Sequence, residues 1–99
     1  MSLFVGIDLG TSAVKVLVLR DDGTTVAKTS AAYPLKHPAS DRTEQSVEDW
    51  WTALGDATRE AMTLVDATDV EAVALSGQLN GLVLLDENLD PVEDAWIWL

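Results

Sequence analysis

The 99-residue sequence contains no cysteine. That excludes disulfides, a thiolate metal centre and a cysteine nucleophile. The single histidine, His37, cannot build a multi-histidine metal site. Basic residues are scarce: six Lys and Arg stand against 17 Asp and Glu, for a formal charge of −11. Nucleic acid and anionic membrane surfaces are held by Lys and Arg, so neither is an expected partner. No apolar run approaches the ~20 residues of a membrane-spanning helix. The N-terminus lacks a basic stretch followed by an apolar one. No signal peptide is therefore expected, and a cytoplasmic location is the default expectation.

What is present is a globular composition, 47% hydrophobic. The length allows one small domain at most, hiding ~60–65% of its unfolded surface. Leu3-Phe4-Val5-Gly6-Ile7 is a short apolar run and predicts a strand buried on both faces. Asp8-Leu9-Gly10-Thr11-Ser12 breaks it with a polar turn, and Val14 to Leu19 restart it as a second strand. Asp21-Asp22-Gly23 is a turn signal, and Thr24 to Tyr33 reads as a third strand in an antiparallel meander.

Pro34 to Gln45 reads as a polar loop. Ser46 is placed as a helix N-cap, with Glu48 and Asp49 in the first turn. Val47, Trp50, Trp51, Leu54, Ala57, Ala61 and Leu64 follow at helical spacing. Val70 to Leu75 predicts a fourth strand, parallel to its neighbour because a helix precedes it, and Leu82 to Leu85 a fifth. Ala95 to Leu99 is apolar to the last residue. The order β-β-β-α-β-β lacks the strict alternation of a doubly wound nucleotide fold. It fits an α/β, ribonuclease-H-like core of the actin/hexokinase/sugar kinase superfamily, here an N-terminal portion and an incomplete domain.

The strongest chemical signal is Gly6-Ile7-Asp8-Leu9-Gly10-Thr11-Ser12-Ala13-Val14-Lys15. Gly10 lets the backbone turn tightly against a ligand. The N–H groups of the turn and the hydroxyls of Thr11 and Ser12 suit phosphate oxygens. Asp8 can hold Mg²⁺ through water, and Lys15 adds a positive charge nearby. A plain hairpin with a polar turn accounts for the same residues without any ligand. Farther along, Gln78, Leu79 and Asn80 leave an apolar strand between Gly77 and Gly81. Such a loop projects side chains into a cleft, and amides both donate to and accept from sugar hydroxyls.

The Gly-Ile-Asp-Leu-Gly-Thr-Ser opening resembles the phosphate-binding start of the FGGY carbohydrate kinases. His37-Pro38, Glu44-Gln45 and Glu48-Asp49-Trp50-Trp51 are similar to that family's HP…EQ.PE.WW stretch. Ser76 to Gly81 falls where the xylulokinase members carry Gly-Gln-Met-His-Gly. Ala95 to Leu99 resembles the family's Trp-containing strand. The resemblance spans essentially the whole chain, which it makes the N-terminal part of the first kinase domain, residues 1–99. The second domain and the catalytic base lie outside it.

The resemblance implies transfer of the ATP γ-phosphate to a sugar hydroxyl, with ATP and Mg²⁺. It makes D-xylulose the best guess, and the short chain alone inactive. It assigns Asp8 to Mg²⁺ and phosphate positioning, Gly10, Thr11, Ser12 and Lys15 to the nucleotide phosphates, and Gln78, Leu79, Asn80 and Trp98 to the sugar. Trp98 serves equally as simple packing. At least one of Trp50 and Trp51 is read as a core anchor, His37 as a solvated loop residue and Glu44 as a surface or helix-entry charge. Leu79 and Asn80 stand where xylulokinases have Met and His, a departure that bears on which sugar is bound. Expected partners are a pentulose or related polyol and a second copy, through self-association of the short chain or as a homodimer of the longer parent. The competing readings are an actin- or Hsp70-like ATPase fragment and a non-catalytic binding or assembly module.

Overall fold

The computed structural model describes residues 1–97. Seven strands and one α-helix form in chain order: β1 (Leu3–Leu9), β2 (Ala13–Arg20), β3 (Thr25–Ala32), β4 (Lys36–Ala39), β5 (Arg42–Gln45), α1 (Val47–Met62), β6 (Val70–Gly77) and β7 (Ala95–Ile97). The main sheet has four strands in the order β3-β2-β1-β6. β1, β2 and β3 make the expected antiparallel meander, and β6 runs parallel to β1. A second sheet, β4-β5-β7, is antiparallel.

The helix begins where its cap chemistry dictates. The Ser46 hydroxyl accepts from the Asp49 N–H at 3.3 Å, and Glu48 and Asp49 oppose the helix dipole in the first turn. Its buried stripe is Ala53, Ala57 and Ala61, with Trp50, Leu54 and Met62 packed at the margins. These small residues let α1 lie close on β2 and β3, so that the buried Thr29 hydroxyl reaches the Ala57 carbonyl at 2.7 Å. Val14, Val16 and Val18 are completely buried beneath the helix. Trp50 is the core anchor of its pair; Trp51 is 74% exposed, and Leu64 also faces out.

Several expectations are corrected. β1 alternates: Leu3 and Val5 are buried while Phe4 is exposed, because α1 covers one face of the sheet. Residues 34–45 contain the β4–β5 hairpin instead of a loop. Its strands have four residues each, and Pro38 sits on β4, at the edge of the second sheet, where a missing N–H is tolerated. Residues 82–85 form no strand. Leu82 bridges Trp96 and Leu85 bridges Pro91, while Val92 N–H donates to the Leu84 carbonyl and Asp86 N–H to that of Asp90. The segment closes on itself, so its hydrogen bonds are spent before it can join the main sheet. Among the described residues no helix is long and apolar enough to cross a membrane.

Candidate functional site

Parallel pairing of β1 with β6 fixes where the polar segments meet. The register sets Asp8 beside Ser76 and Leu9 beside Gly77. The turn after β1 and the loop after β6 therefore leave the same end of the sheet. The antiparallel register sets Asp8 opposite Lys15. Both side chains are exposed, and neither forms an ion pair among the described residues. They border an open concavity of about 390 Å³ on the sheet face away from α1, together with Gly6, Lys28, Ala74 and Ser76. Nothing lies within 4 Å of the position a Cβ would take on Gly6, so the floor there is backbone. Sequence reasoning missed Lys28, which only the β2–β3 register brings to this face.

The turn between β1 and β2 is held from inside and from both sides. Gly10 N–H donates to the Ala13 carbonyl at 3.0 Å, and a Cβ on Gly10 would meet that oxygen at 3.1 Å. The Tyr33 hydroxyl donates to the Gly10 carbonyl, and the Tyr33 N–H to the Ser12 carbonyl at 3.2 Å. Burial, and then the nearby charge of Asp8, push the Tyr33 phenol above its ordinary pKa, which keeps it a donor. On the other side the Gln45 amide donates to the Thr11 carbonyl at 2.6 Å. These contacts all use carbonyls. The N–H groups of Thr11 and Ser12 are engaged by none of the turn hydrogen bonds of the described residues. A turn whose carbonyls are tied back, with the Thr11 and Ser12 N–H groups unengaged among the described residues, suits an anion.

In the second loop, Gln78 is half-buried and its amide donates to the Gln45 Oε1 at 3.0 Å. Leu79 is 79% exposed, and Asn80 is exposed with φ of 59°, the left-handed conformation that asparagine accepts more readily than most residues. Leu82 returns the loop to β7 through paired backbone bonds with Trp96. Trp98 lies outside the described residues. Thus Asp8, Gly10, Thr11, Ser12, Lys15 and the loop of Gln78, Leu79 and Asn80 share one end of the sheet. Gln45 and Tyr33, which the sequence offered only as part of a motif and as the end of a strand, hold the turn. His37 is on β4, with Nδ1 3.2 Å from the Thr43 hydroxyl; Glu44 pairs with Arg42 at 2.8 Å.

No group of three or more His, Cys, Asp or Glu able to hold a metal ion occurs among the described residues. Asp8 thus offers a lone carboxylate. That fits Mg²⁺, which keeps most of its waters and takes one or two carboxylates plus phosphate oxygens.

Solved structures share this architecture. The chain superimposes on a xyloylose kinase from Brucella ovis with a TM-score of 0.92 at 26% identity, covering 97% of this chain and 21% of that one. It matches a glycerol kinase from Plasmodium falciparum, solved with ADP, with a TM-score of 0.85 at 17% identity, covering 99% and 20%. The latter is a likeness of fold alone. The fold is that of the sugar kinases of the actin/hexokinase-like, ribonuclease-H-like type, in its N-terminal portion. Residues 3–99 match the N-terminal domain of the FGGY family of carbohydrate kinases, and the chain belongs to that family. It is 39% identical over 100 residues to the xylulose kinase of Bacillus subtilis strain 168, covering 99% of this chain and 20% of the relative. It is 34% identical over 96 residues to the xylulose kinase of Escherichia coli K12, covering 97% and 20%. The chain spans about a fifth of the length of these curated relatives. Membership of a carbohydrate kinase family weighs against the actin- or Hsp70-like ATPase and the non-catalytic module.

Proposed function

We propose that the protein is an ATP-dependent sugar kinase and that residues 1–99 supply its phosphate turn and part of its sugar wall, within the first of two domains. The observation that carries this reading is the common exit of the β1–β2 turn and the β6 loop from one end of the main sheet. An acceptor hydroxyl held by the loop would stand near a phosphate chain held by the turn. Phosphoryl transfer depends mainly on such positioning and on charge stabilisation.

In this reading Asp8 would hold Mg²⁺, which when bound would neutralise charge on the transferring phosphoryl group. Gly10 permits the close approach, the Thr11 and Ser12 N–H and hydroxyl groups take phosphate oxygens, and Lys15 adds a cation on the same face. Gln78, Leu79 and Asn80 face the sugar, and the family resemblance assigns Trp98 to it as well. The xylulose kinases among the relatives support D-xylulose as substrate. Asn80 keeps a hydrogen-bonding group in the loop and is the residue best placed to shift the choice among sugars. A cytoplasmic location and a homodimer of the complete protein accord with this role.

The test is a panel of ketoses, aldoses and polyols offered with Mg·ATP to the complete protein. D-xylulose is expected to give the highest kcat/KM. Asp8→Ala should lower kcat by about a hundredfold, as loss of a charge-stabilising contact does, and Thr11→Ala should cost less because the backbone N–H groups remain. Asn80→Ala should change KM and the rank order of sugars. Unaltered turnover in folded Asp8→Ala would reduce the turn to a structural hairpin.

A further inference from the structure

Among the described residues Gln45 is the largest side chain that is fully buried, at 0% exposure, and it is polar. A buried amide is costly unless its groups are bonded. Here one Nε2 hydrogen goes to the Thr11 carbonyl at 2.6 Å, while Oε1 accepts from Trp50 Nε1 at 3.0 Å and from Gln78 Nε2 at 3.0 Å. The three partners belong to different parts of the fold: the turn after β1, the first turns of α1 and the loop after β6. The Trp50 bond uses one lone pair of Oε1 and fixes the orientation of the amide, since a flipped amide would set N–H against N–H. With the amide so fixed, its nitrogen must face Thr11 and its remaining lone pair must face Gln78.

We infer that Gln45 is a positioning residue that couples the two halves of the site, so that a sugar at the β6 loop and a nucleotide at the β1–β2 turn bind cooperatively. This inference rests on the kinase reading above. The backbone ladder joins the two segments at Leu9 and Gly77, and the Gln45 side chain adds a direct link beyond it, touching both Thr11 and Gln78. A sugar that orders Gln78 draws on the same Oε1 that is rigidly joined to the donor holding Thr11. Stiffening one arm therefore lowers the ordering cost of the other, which is positive coupling in free-energy terms. Gln45 has no exposure and need touch neither ligand.

The experiment measures the Kd of the complete protein for Mg·ADP, without and with saturating D-xylulose, and takes the ratio. Wild type is expected to bind Mg·ADP about fivefold or more tightly with the sugar present, the lower end of usual coupling. In Gln78→Met, which cuts the loop arm at a half-buried position and leaves the other two bonds of Gln45 in place, the ratio should fall toward unity. Saturating sugar keeps any direct loss of sugar affinity out of the ratio. Gln45→Met should lose the coupling as well, together with some thermal stability, since it strands Trp50 Nε1 and the Thr11 carbonyl. A wild-type ratio kept in Gln78→Met, or a ratio near unity in a wild type that phosphorylates D-xylulose, overturns the inference and leaves the kinase reading standing. Absence of phosphoryl transfer to any sugar of the panel overturns the kinase reading and this inference with it.

Discussion

At the scale of single residues the site depends on a few groups that secure a turn without occupying it. Tyr33 does so through its hydroxyl on the Gly10 carbonyl and its N–H on the Ser12 carbonyl. Its phenol titrates above its ordinary pKa, through burial first and the charge of Asp8 second. The folded state therefore holds this proton more tightly than the unfolded state does. The contribution is fully present below about pH 10, the unperturbed tyrosine value, and is lost as pH rises through the raised folded value. A melting series on the complete protein at alkaline pH should show Tm falling in wild type over that window. In Tyr33→Phe the fall should be shallower, from a lower starting Tm. Gly10 is constrained by space: a methyl there meets the Ala13 carbonyl at 3.1 Å. Gly10→Ala should destabilise by about 1–3 kcal/mol, the range for forcing atoms into filled space, read from the denaturation midpoint.

At the scale of elements, α1 is held by a narrow stripe. Ala57 is 1% exposed and its carbonyl accepts the Thr29 hydroxyl. A larger side chain would lift the helix from β2 and β3 and break that bond. Ala57→Leu should cost about 1–3 kcal/mol, whereas Trp51→Ala, on the open face, should change the stability of the isolated chain by less than about 0.5 kcal/mol. Equilibrium denaturation of the two variants against wild type separates these outcomes. Two turns depend on aspartates in the same way. Asp22 accepts from the Thr24 N–H, and Asp66 from the Thr68 N–H and hydroxyl. These bonds to Thr24 and Thr68 lower the two carboxyl pKa values. Their support is present above the ordinary carboxylate range and fades as pH drops through it. Relative to the intrinsic exchange rate at each pH, protection of the Thr24 and Thr68 amides should be lost under acid before that of the central strands is.

At the scale of the molecule, the described residues leave one layer unfinished. Both faces of β6 are open, with Val73 and Leu75 exposed, Leu75 at 76%. Beside α1, Ile7, Trp51 and Leu54 line an apolar cleft of about 460 Å³. Exposed apolar area on an edge strand invites pairing, and the charge of −11 opposes it. Salt screens that repulsion. The 99-residue chain studied alone should therefore self-associate, increasingly so as ionic strength rises. Sedimentation velocity at low and high salt measures this; a cooperatively melting monomer at high concentration in both would contradict it.

Much of this was legible in the residues themselves. The turn chemistry of Asp8 to Ser12 and of Asp21 to Gly23 delimits the meander, because glycine and short polar side chains favour turns locally. Ser46 marks the helix start through its own cap. The family resemblance rests on motifs whose order along the chain needs no coordinates. What lay beyond the sequence was whatever depends on distant partners. The β4–β5 hairpin is too short to carry a period, and Leu82 to Leu85, apolar enough for a strand, turned back because closer hydrogen bonds were available. Of the alanine stripe that seats α1, Ala57 and Ala61 fall in the helical pattern, whereas Ala53 is inconspicuous beside Trp and Leu. Above all, Gln45 acquires its role from Thr11, 34 positions earlier, and Gln78, 33 later. Local sequence records which groups a side chain carries; only the folded chain decides which of them must be satisfied together.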